Sequence, residues 1–165
     1  MAWDAKRAFD SVRPATAIPY LFQHQTIRAW GGPGKGTIDM DGRFWIPYQI
    51  STSPTPAFPE YISGHSTFSA AGAEILRLFT GSDAFGDSIT LPAGSSKIEP
   101  GLTPAAPIIL HWKTFTDAAN QAGVSRRYGG IHFKKADYAG RVAGRIVGDQ
   151  AWVKAINLWN GRRYK

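Results

Sequence analysis

Lysine, arginine, serine and histidine residues stand in the sequence at spacings that could bring them into one binding pocket. Lys6 and Arg13 are seven residues apart, two turns of a helix, so both side chains can extend from the same face. Ser63-Gly64-His65 directly precedes a helical pattern of apolar residues. Free backbone N–H groups and the helix dipole at such a start favour an anion, and glycine lets a ligand approach the backbone.

A further group of polar residues lies nearer the end of the chain. Ser125-Arg126 and His132 flank a turn at Gly129-Gly130, just before another helical pattern. With the earlier groups, they supply three cations, two imidazoles, a hydroxyl and a free backbone amide. This combination predicts a pocket for a tetrahedral or trigonal oxyanion such as phosphate or vanadate. Its predicted members are Lys6, Arg13, Ser63, Gly64, His65, Arg126 and His132.

Helical periodicity marks the stretches that are expected to position these residues. They are residues 3–12, 66–80, 110–122 and 133–158. The predicted core stripe of the second stretch consists of Phe68, Ala71, Gly72, Ile75 and Phe79. In the last stretch Gly140, Gly144 and Gly148 recur every four residues and clear one face for another helix backbone. The sequence therefore predicts an all-α fold.

The segments between these helices predict long irregular loops. Residues 31–59 and 83–107 are loop-like in composition, and a small hairpin is expected around Asp41-Gly42. No internal repeat or linker divides the chain, and its 165 residues suit one core. Residues 1–165 are therefore predicted to form a single domain.

The composition is that of a folded protein, with 43% hydrophobic and 19% charged residues. A formal net charge of +7 attracts anions, but no long basic run occurs, so we expect no nucleic-acid partner. Cysteine is absent, which excludes disulfides and thiolate chemistry. No apolar stretch approaches the roughly 20 residues of a membrane helix, and the start lacks a signal-peptide pattern. A soluble chain of undetermined compartment is expected.

Other familiar motifs fail on their spacing. Residues 31–37 look like a phosphate-binding loop, but Ala29 and Gly36 stand where glycine and Ser or Thr are required. The four histidines lack the spacing of a zinc helix. No Gly-x-Ser-x-Gly elbow of a serine hydrolase is present.

The three polar groups resemble the signature of the type 2 phosphatidic acid phosphatase and vanadium haloperoxidase superfamily. The matching residues are Lys6-(six residues)-Arg13-Pro14, Ser63-Gly64-His65 and Ser125-Arg126-(five residues)-His132. One departure is Ile62, where the family usually has proline. The resemblance implies a helical bundle of the haloperoxidase and acid phosphatase type, usually with helices before the first motif. Because that motif begins here at residue 6, we expect a missing N-terminal region or a homo-oligomer.

The resemblance also implies a role for each site residue. His132 would be the catalytic residue that bonds vanadium axially or attacks phosphorus, and His65 would be its acid–base partner. The oxyanion would be bound by Lys6, Arg13, Ser63, Gly64 and Arg126. Trp3 and Phe58 fall where fungal-type chloroperoxidases carry aromatic residues around the halide. The carboxylate that supports the lysine and arginine in the family is not identified by the sequence.

Three functions are compatible with these roles. The first is a vanadate-dependent haloperoxidase that oxidises halide with hydrogen peroxide, and Trp3 and Phe58 favour it. The second is a metal-independent acid phosphatase or lipid-phosphate phosphatase that forms a phosphohistidine at His132 and needs no cofactor. The third is a non-catalytic or half-site module completed by another chain, because 13% aromatic residues would leave an apolar patch uncovered.

Overall fold

The structure is a computed structural model that describes residues 1–50, 52 and 55–162. It is about 48% helical and 16% strand. The helices are α1 (Ala2–Phe9), α2 (Pro14–Leu21), α3 (Gly64–Thr80), α4 (Phe115–Tyr128) and α5 (Lys134–Trp159), with a short 3-10 turn at Gly42–Phe44. The strands are β1 (Thr26–Trp30), β2 (Thr37–Asp41), β3 (Ala84–Leu91) and β4 (Ile108–Thr114).

The centre of the bundle is the close crossing of α3 and α5. The predicted role of the regularly spaced glycines is confirmed: a Cβ added at Gly140 or Gly148 would lie 2.8 Å from a backbone oxygen of α3 or of its N-cap residue. At Gly144 the added Cβ would lie only 2.2 Å from the carbonyl oxygen of Thr67. Small residues on α3 face this interface, so the two backbones approach closely.

Replacement of Gly144 with alanine is expected to destabilise the fold. The new methyl group must displace a backbone carbonyl, and overpacking of this kind costs about 1–3 kcal/mol of the free energy of unfolding. Gly72→Ala is the matched control, because this helical glycine has no neighbour within 4 Å of an added Cβ. It should instead gain up to about 1 kcal/mol from helix propensity. Equal denaturant midpoints for the two variants would contradict the packing described here.

The buried face of α3 differs from the predicted one. Its buried residues are Ser66, Thr67, Ala70 and Ala73. Phe68 and Phe79, from the predicted core stripe, are instead 66% and 69% exposed. The reason is the close contact with the glycine face of α5. Only small side chains of α3 fit at that contact, so the bulky side chains of α3 lie on its opposite side. That opposite side is an exposed apolar face.

The all-α prediction is wrong in part, because two antiparallel strand pairs accompany the helical bundle. β1 pairs with β2, and β3 pairs with β4. The first hairpin turns at residues 31–36, whereas Asp41-Gly42 marks the end of β2. Residues 110–114 belong to β4, and α4 continues through residue 128 instead of ending at 122.

The helix boundaries differ elsewhere as well. α1 ends at Phe9 instead of residue 12, and the sequence analysis missed α2, which begins at Pro14. Proline is favourable in a first helical turn, where its missing N–H costs nothing. Within the described residues, no helix is long and apolar enough to span a membrane.

Candidate active site

Arg13 is held between two distant segments of the chain. Its Nε donates to the carbonyl oxygen of Phe58 at 2.9 Å, and its Nη1 donates to that of Ile131 at 2.9 Å. A longer contact of 3.4 Å joins Nη2 to the carbonyl oxygen of Pro59. Arg13 directly precedes α2 in extended conformation and is buried. Its guanidinium thus joins residues 58–59 to the segment that carries His132.

Lys6 lies in the last turn of α1 and is only 2% exposed. Its Nζ donates to the carbonyl oxygens of Pro59 at 2.8 Å and Glu60 at 3.1 Å. Burial and, to a lesser extent, the nearby Arg13 charge lower the pKa of Lys6 to about 8, against the opposing effect of the Glu60 carboxylate. Neutral carbonyl groups do not neutralise the ammonium charge, which stays available to an anion.

His132 is oriented by a buried carboxylate. Its Nδ1 lies 2.6 Å from Oε1 of Glu60, which also accepts the backbone N–H of Phe133 at 2.9 Å. An ionised carboxylate only accepts, so we place the ring proton on Nδ1. Burial lowers the pKa of His132, against the opposing effect of Glu60. The neutral ring therefore presents an Nε2 lone pair, which lies 3.2 Å from Nη1 of Arg13.

Glu60 is a candidate functional residue that the sequence analysis missed. Its carboxylate also interacts electrostatically with Lys6 and Arg13, although its hydrogen bonds go to His132 and Phe133. The sequence did contain a signal for this role. An acidic residue three positions before Ser63 would repel an anion unless its carboxylate were paired with other groups.

Arg126 differs from the other two cations because its guanidinium makes no hydrogen bond to any described residue. Its Nε is buried without a partner. Burial lowers the pKa of Arg126, and its charge contributes to lowering the pKa values of Arg13 and His65. A buried donor without a partner costs free energy. An oxyanion at this position would remove that cost, so the residues present fit such a group.

The turn between α4 and α5 brings His132 close to Arg126. It passes through Gly130, whose φ of 68° lies in the left-handed region that favours glycine. The N–H of Ile131 then donates to the carbonyl oxygen of Arg126 at 3.2 Å. The turn therefore joins the backbone before His132 to that of Arg126, and the charges of both residues act on His65.

The start of α3 supplies backbone donors. Ser63 is its N-cap, and the N–H of Gly64 finds no partner among the described residues. An added Cβ at Gly64 would lie 3.9 Å from the ring of Phe68, so the backbone is open to a ligand. His65 follows on the exposed side, and its pKa is lowered by burial and by the charges of Arg126 and His132.

Aromatic rings form one wall of the site. The ring centroids of Trp3 and Phe58 are 4.9 Å apart, and Nζ of Lys6 lies 5.1 Å from the Phe58 centroid. Cζ of Arg13 lies 4.9 Å from the same centroid. A cavity of about 370 Å³ opens beside them, lined by Ala2, Trp3, Lys6, Phe58, Gly64, His65, Phe68 and Ser69.

The structure brings several of the predicted site residues together, in two groups. Arg13 and His132 lie behind the Phe58 segment in mutual contact, and Lys6, Gly64 and His65 line the cavity. Ser63 is fully buried, and the side-chain contacts of its hydroxyl go to Ser66. The surroundings of Ser63 therefore differ from those of an exposed oxyanion donor.

A family model described as "VCPO second helical-bundle domain" matches residues 1–161. Among solved structures, a bacterial vanadium-dependent chloroperoxidase in its holo form is 38% identical, with a TM-score of 0.84 over 92% of this chain. An apo-type bacterial vanadium-dependent chloroperoxidase is 36% identical over 94% of this chain, with a TM-score of 0.87.

A bacterial vanadium-dependent iodoperoxidase is more distant, at 31% identity over 90% of this chain with a TM-score of 0.58. The chain spans 31% of the length of the holo chloroperoxidase, 33% of the apo form and 28% of the iodoperoxidase. No curated protein matches the chain.

Proposed function

The chain belongs to the VCPO second helical-bundle domain family, and from this we propose that it carries the vanadate site of a haloperoxidase. The observation that supports the proposal most strongly is the guanidinium of Arg126, which has no partner among the described residues and whose charge acts on Arg13 and His65. His132 holds its ring proton at Nδ1, and its Nε2 lone pair faces Nη1 of Arg13 at 3.2 Å, a contact that a ligand on Nε2 would replace. This set of groups suits an oxyanion that would also accept one nitrogen ligand.

Each polar residue has a distinct task in the proposed site. Nε2 of His132 would hold the metal, while Glu60 holds the ring proton at Nδ1 and so leaves Nε2 without a proton. Vanadate would supply the Lewis acidity that makes hydrogen peroxide electrophilic toward halide. Lys6, Arg13 and Arg126 would neutralise the oxyanion charge, assisted by the Gly64 N–H and the Ser63 hydroxyl.

His65 and the aromatic wall complete the proposed chemistry. His65 lines the cavity, and its lowered pKa leaves it neutral at physiological pH, so that it can accept a proton from peroxide and return it to the departing oxygen. Trp3 and Phe58 would surround the halide, since the cations near the Phe58 ring make that wall electropositive. Halide, hydrogen peroxide and one proton would give hypohalous acid and water.

The test is halide-dependent bromination of a phenol dye by the chain after addition of vanadate and peroxide. We expect turnover that requires all three additions. If the chain binds vanadate but does not brominate the dye, the proposed halide oxidation is wrong and only the oxyanion site remains supported. Absence of both would refute the proposal as a whole.

Lys6 is expected to make oxyanion affinity depend on pH. Its pKa is lowered to about 8 from 10.5, so the free site loses this positive charge as the pH rises through about 8. Tungstate keeps a constant charge in this range, so its affinity should fall above that pH, by at most about tenfold per pH unit for one linked proton. Calorimetric titrations at several pH values measure this effect. Lys6→Met should bind more weakly, and its affinity should not change across the same range.

A phosphatase activity is the second candidate, because a carboxylate-oriented imidazole can also act as a nucleophile. Nε2 of His132 would attack phosphorus, and His65 in its protonated form would donate a proton to the leaving group. Metal-independent hydrolysis of p-nitrophenyl phosphate, inhibited by vanadate and lost in His132→Ala, would favour this function. Hydrolysis that persists in that variant would exclude the phosphohistidine route.

A third proposal is that another segment or chain completes this module. Large apolar residues lie exposed on α3 and β3, namely Phe68, Leu76, Phe79 and Phe85. Some of them line a shallow groove with Gly72, Ala73 and Ala118. An apolar face of this kind usually marks an interaction surface. Light scattering that shows a stable monomer without binding of a hydrophobic dye would count against the proposal.

A further inference from the structure

A buried carboxylate lies one layer behind the proposed oxyanion site. Asp137, in the first turn of α5, has no exposed surface. Arg141 donates to it through Nε at 2.8 Å and through Nη2 at 2.7 Å, and Nη1 of Arg127 lies 3.6 Å away. The carboxylate accepts hydrogen bonds from Arg141 and forms an ion pair with Arg127, so it acts as an acceptor toward its neighbours.

Ser66 connects Asp137 to the site. Its Oγ lies 2.8 Å from Oδ1 of Asp137 and 2.9 Å from Oγ of Ser63. A hydroxyl has one hydrogen, so Ser66 cannot donate to both groups at once. When Ser66 donates to Asp137, the hydrogen between the two serines must come from Ser63. When Ser63 gives its hydrogen to another acceptor, Ser66 can donate to Ser63 instead, and Asp137 keeps its pairing with Arg141.

The surrounding backbone leaves these side chains little room to rearrange. A Cβ added at Gly123 would lie 2.3 Å from Oδ1 of Asp137 and 2.9 Å from Oγ of Ser66. A Cβ added at Gly140 would lie 2.8 Å from the carbonyl oxygen of Ser63. The heavy atoms are therefore held in place by packing, and only the hydroxyl hydrogens can change partner.

We infer that Ser66 and Asp137 are positioning residues for Ser63. On oxyanion binding the Ser63 hydrogen turns from Ser66 to the oxyanion, and the Ser66 hydrogen turns from Asp137 to Ser63. The Ser63 oxygen thus keeps a donor, from the Ser66 hydroxyl as well as from the Ser66 N–H at 3.3 Å. The inference rests on the proposed oxyanion site, because it assigns a task to residues behind one of that site's donors.

The test is a double-mutant cycle on tungstate affinity, measured by calorimetric titration without any turnover. Ser66→Ala removes the hydroxyl and leaves Asp137 paired with Arg141 and Arg127. We expect the affinity to fall by about three- to tenfold, the effect of one lost hydrogen bond. In a Ser63→Ala background the same change should have no further effect, because its target is already gone.

The outcomes separate this inference from the proposed function. Equal losses from Ser66→Ala in both backgrounds would show that Ser66 acts independently of Ser63, and would overturn the inference alone. Absence of tungstate binding by the unsubstituted chain would overturn the oxyanion site and this inference together. Asp137→Asn is the less suitable variant, since it leaves Arg141 without a charged partner and endangers folding.

Discussion

Replacement of His132 with alanine is expected to abolish halide oxidation, with a loss of at least about a thousandfold in turnover. The imidazole is a nitrogen donor whose orientation is fixed by the hydrogen bond between Nδ1 and Glu60, which leaves Nε2 for the ligand role. Without it, the cations alone would hold the oxyanion, and the nitrogen ligand of the proposed site would be missing. Dye bromination under saturating vanadate and peroxide measures the loss.

His111→Ala is the matched control for this variant. His111 lies on the exposed strand β4, outside the proposed site, so this change should leave turnover within about twofold. A His132→Ala variant that stays folded and retains full turnover would remove His132 from its role. In that case, membership of the family would describe the fold of the chain and not its chemistry.

Arg126→Ala is expected to lower tungstate affinity by about one to two powers of ten. A charge-assisted hydrogen bond is worth roughly 1.5–3 kcal/mol, which sets this range. The same variant should keep or slightly raise its melting temperature without anion, because the guanidinium makes no hydrogen bond to any described residue. A loss of binding without a loss of stability distinguishes a ligand-binding residue from a structural one.

Lys35→Ala serves as the control for Arg126→Ala. Lys35 lies in the exposed turn of the first hairpin, whose glycines only superficially resemble a phosphate-binding loop. Its removal should change tungstate affinity little. Unchanged affinity in Arg126→Ala, or a large loss in Lys35→Ala, would place the pocket elsewhere in the chain.

The motif residues could be grouped from sequence because local rules act on them. The start of a helix orients the amide of Gly64. The helical spacing of Lys6 and Arg13 does not hold in the structure, because α1 ends at Phe9 and Arg13 is extended before α2. The glycine spacing of α5 likewise predicted a close helix contact. Each of these inferences depends on neighbours within about two turns of the chain, where geometry is nearly independent of the rest of the fold.

Features that depend on distant partners could not be predicted in this way. Glu60 meets His132 across 72 positions, so its role becomes visible only when the segments are packed together. Strands β3 and β4 pair across a long loop, and nothing local marks their register. Phe68 was assigned to the core by periodicity, but the glycine face of α5 selected small residues instead.

The most direct test of the oxyanion site is a crystal of the chain soaked in tungstate, with the tungsten located from its anomalous scattering. We predict one principal peak beside Nε2 of His132, within reach of the Arg126 guanidinium and the Gly64 N–H. A principal peak at the turn of the first hairpin would contradict the proposed site. The absence of any peak in crystals soaked in tungstate would contradict it as well.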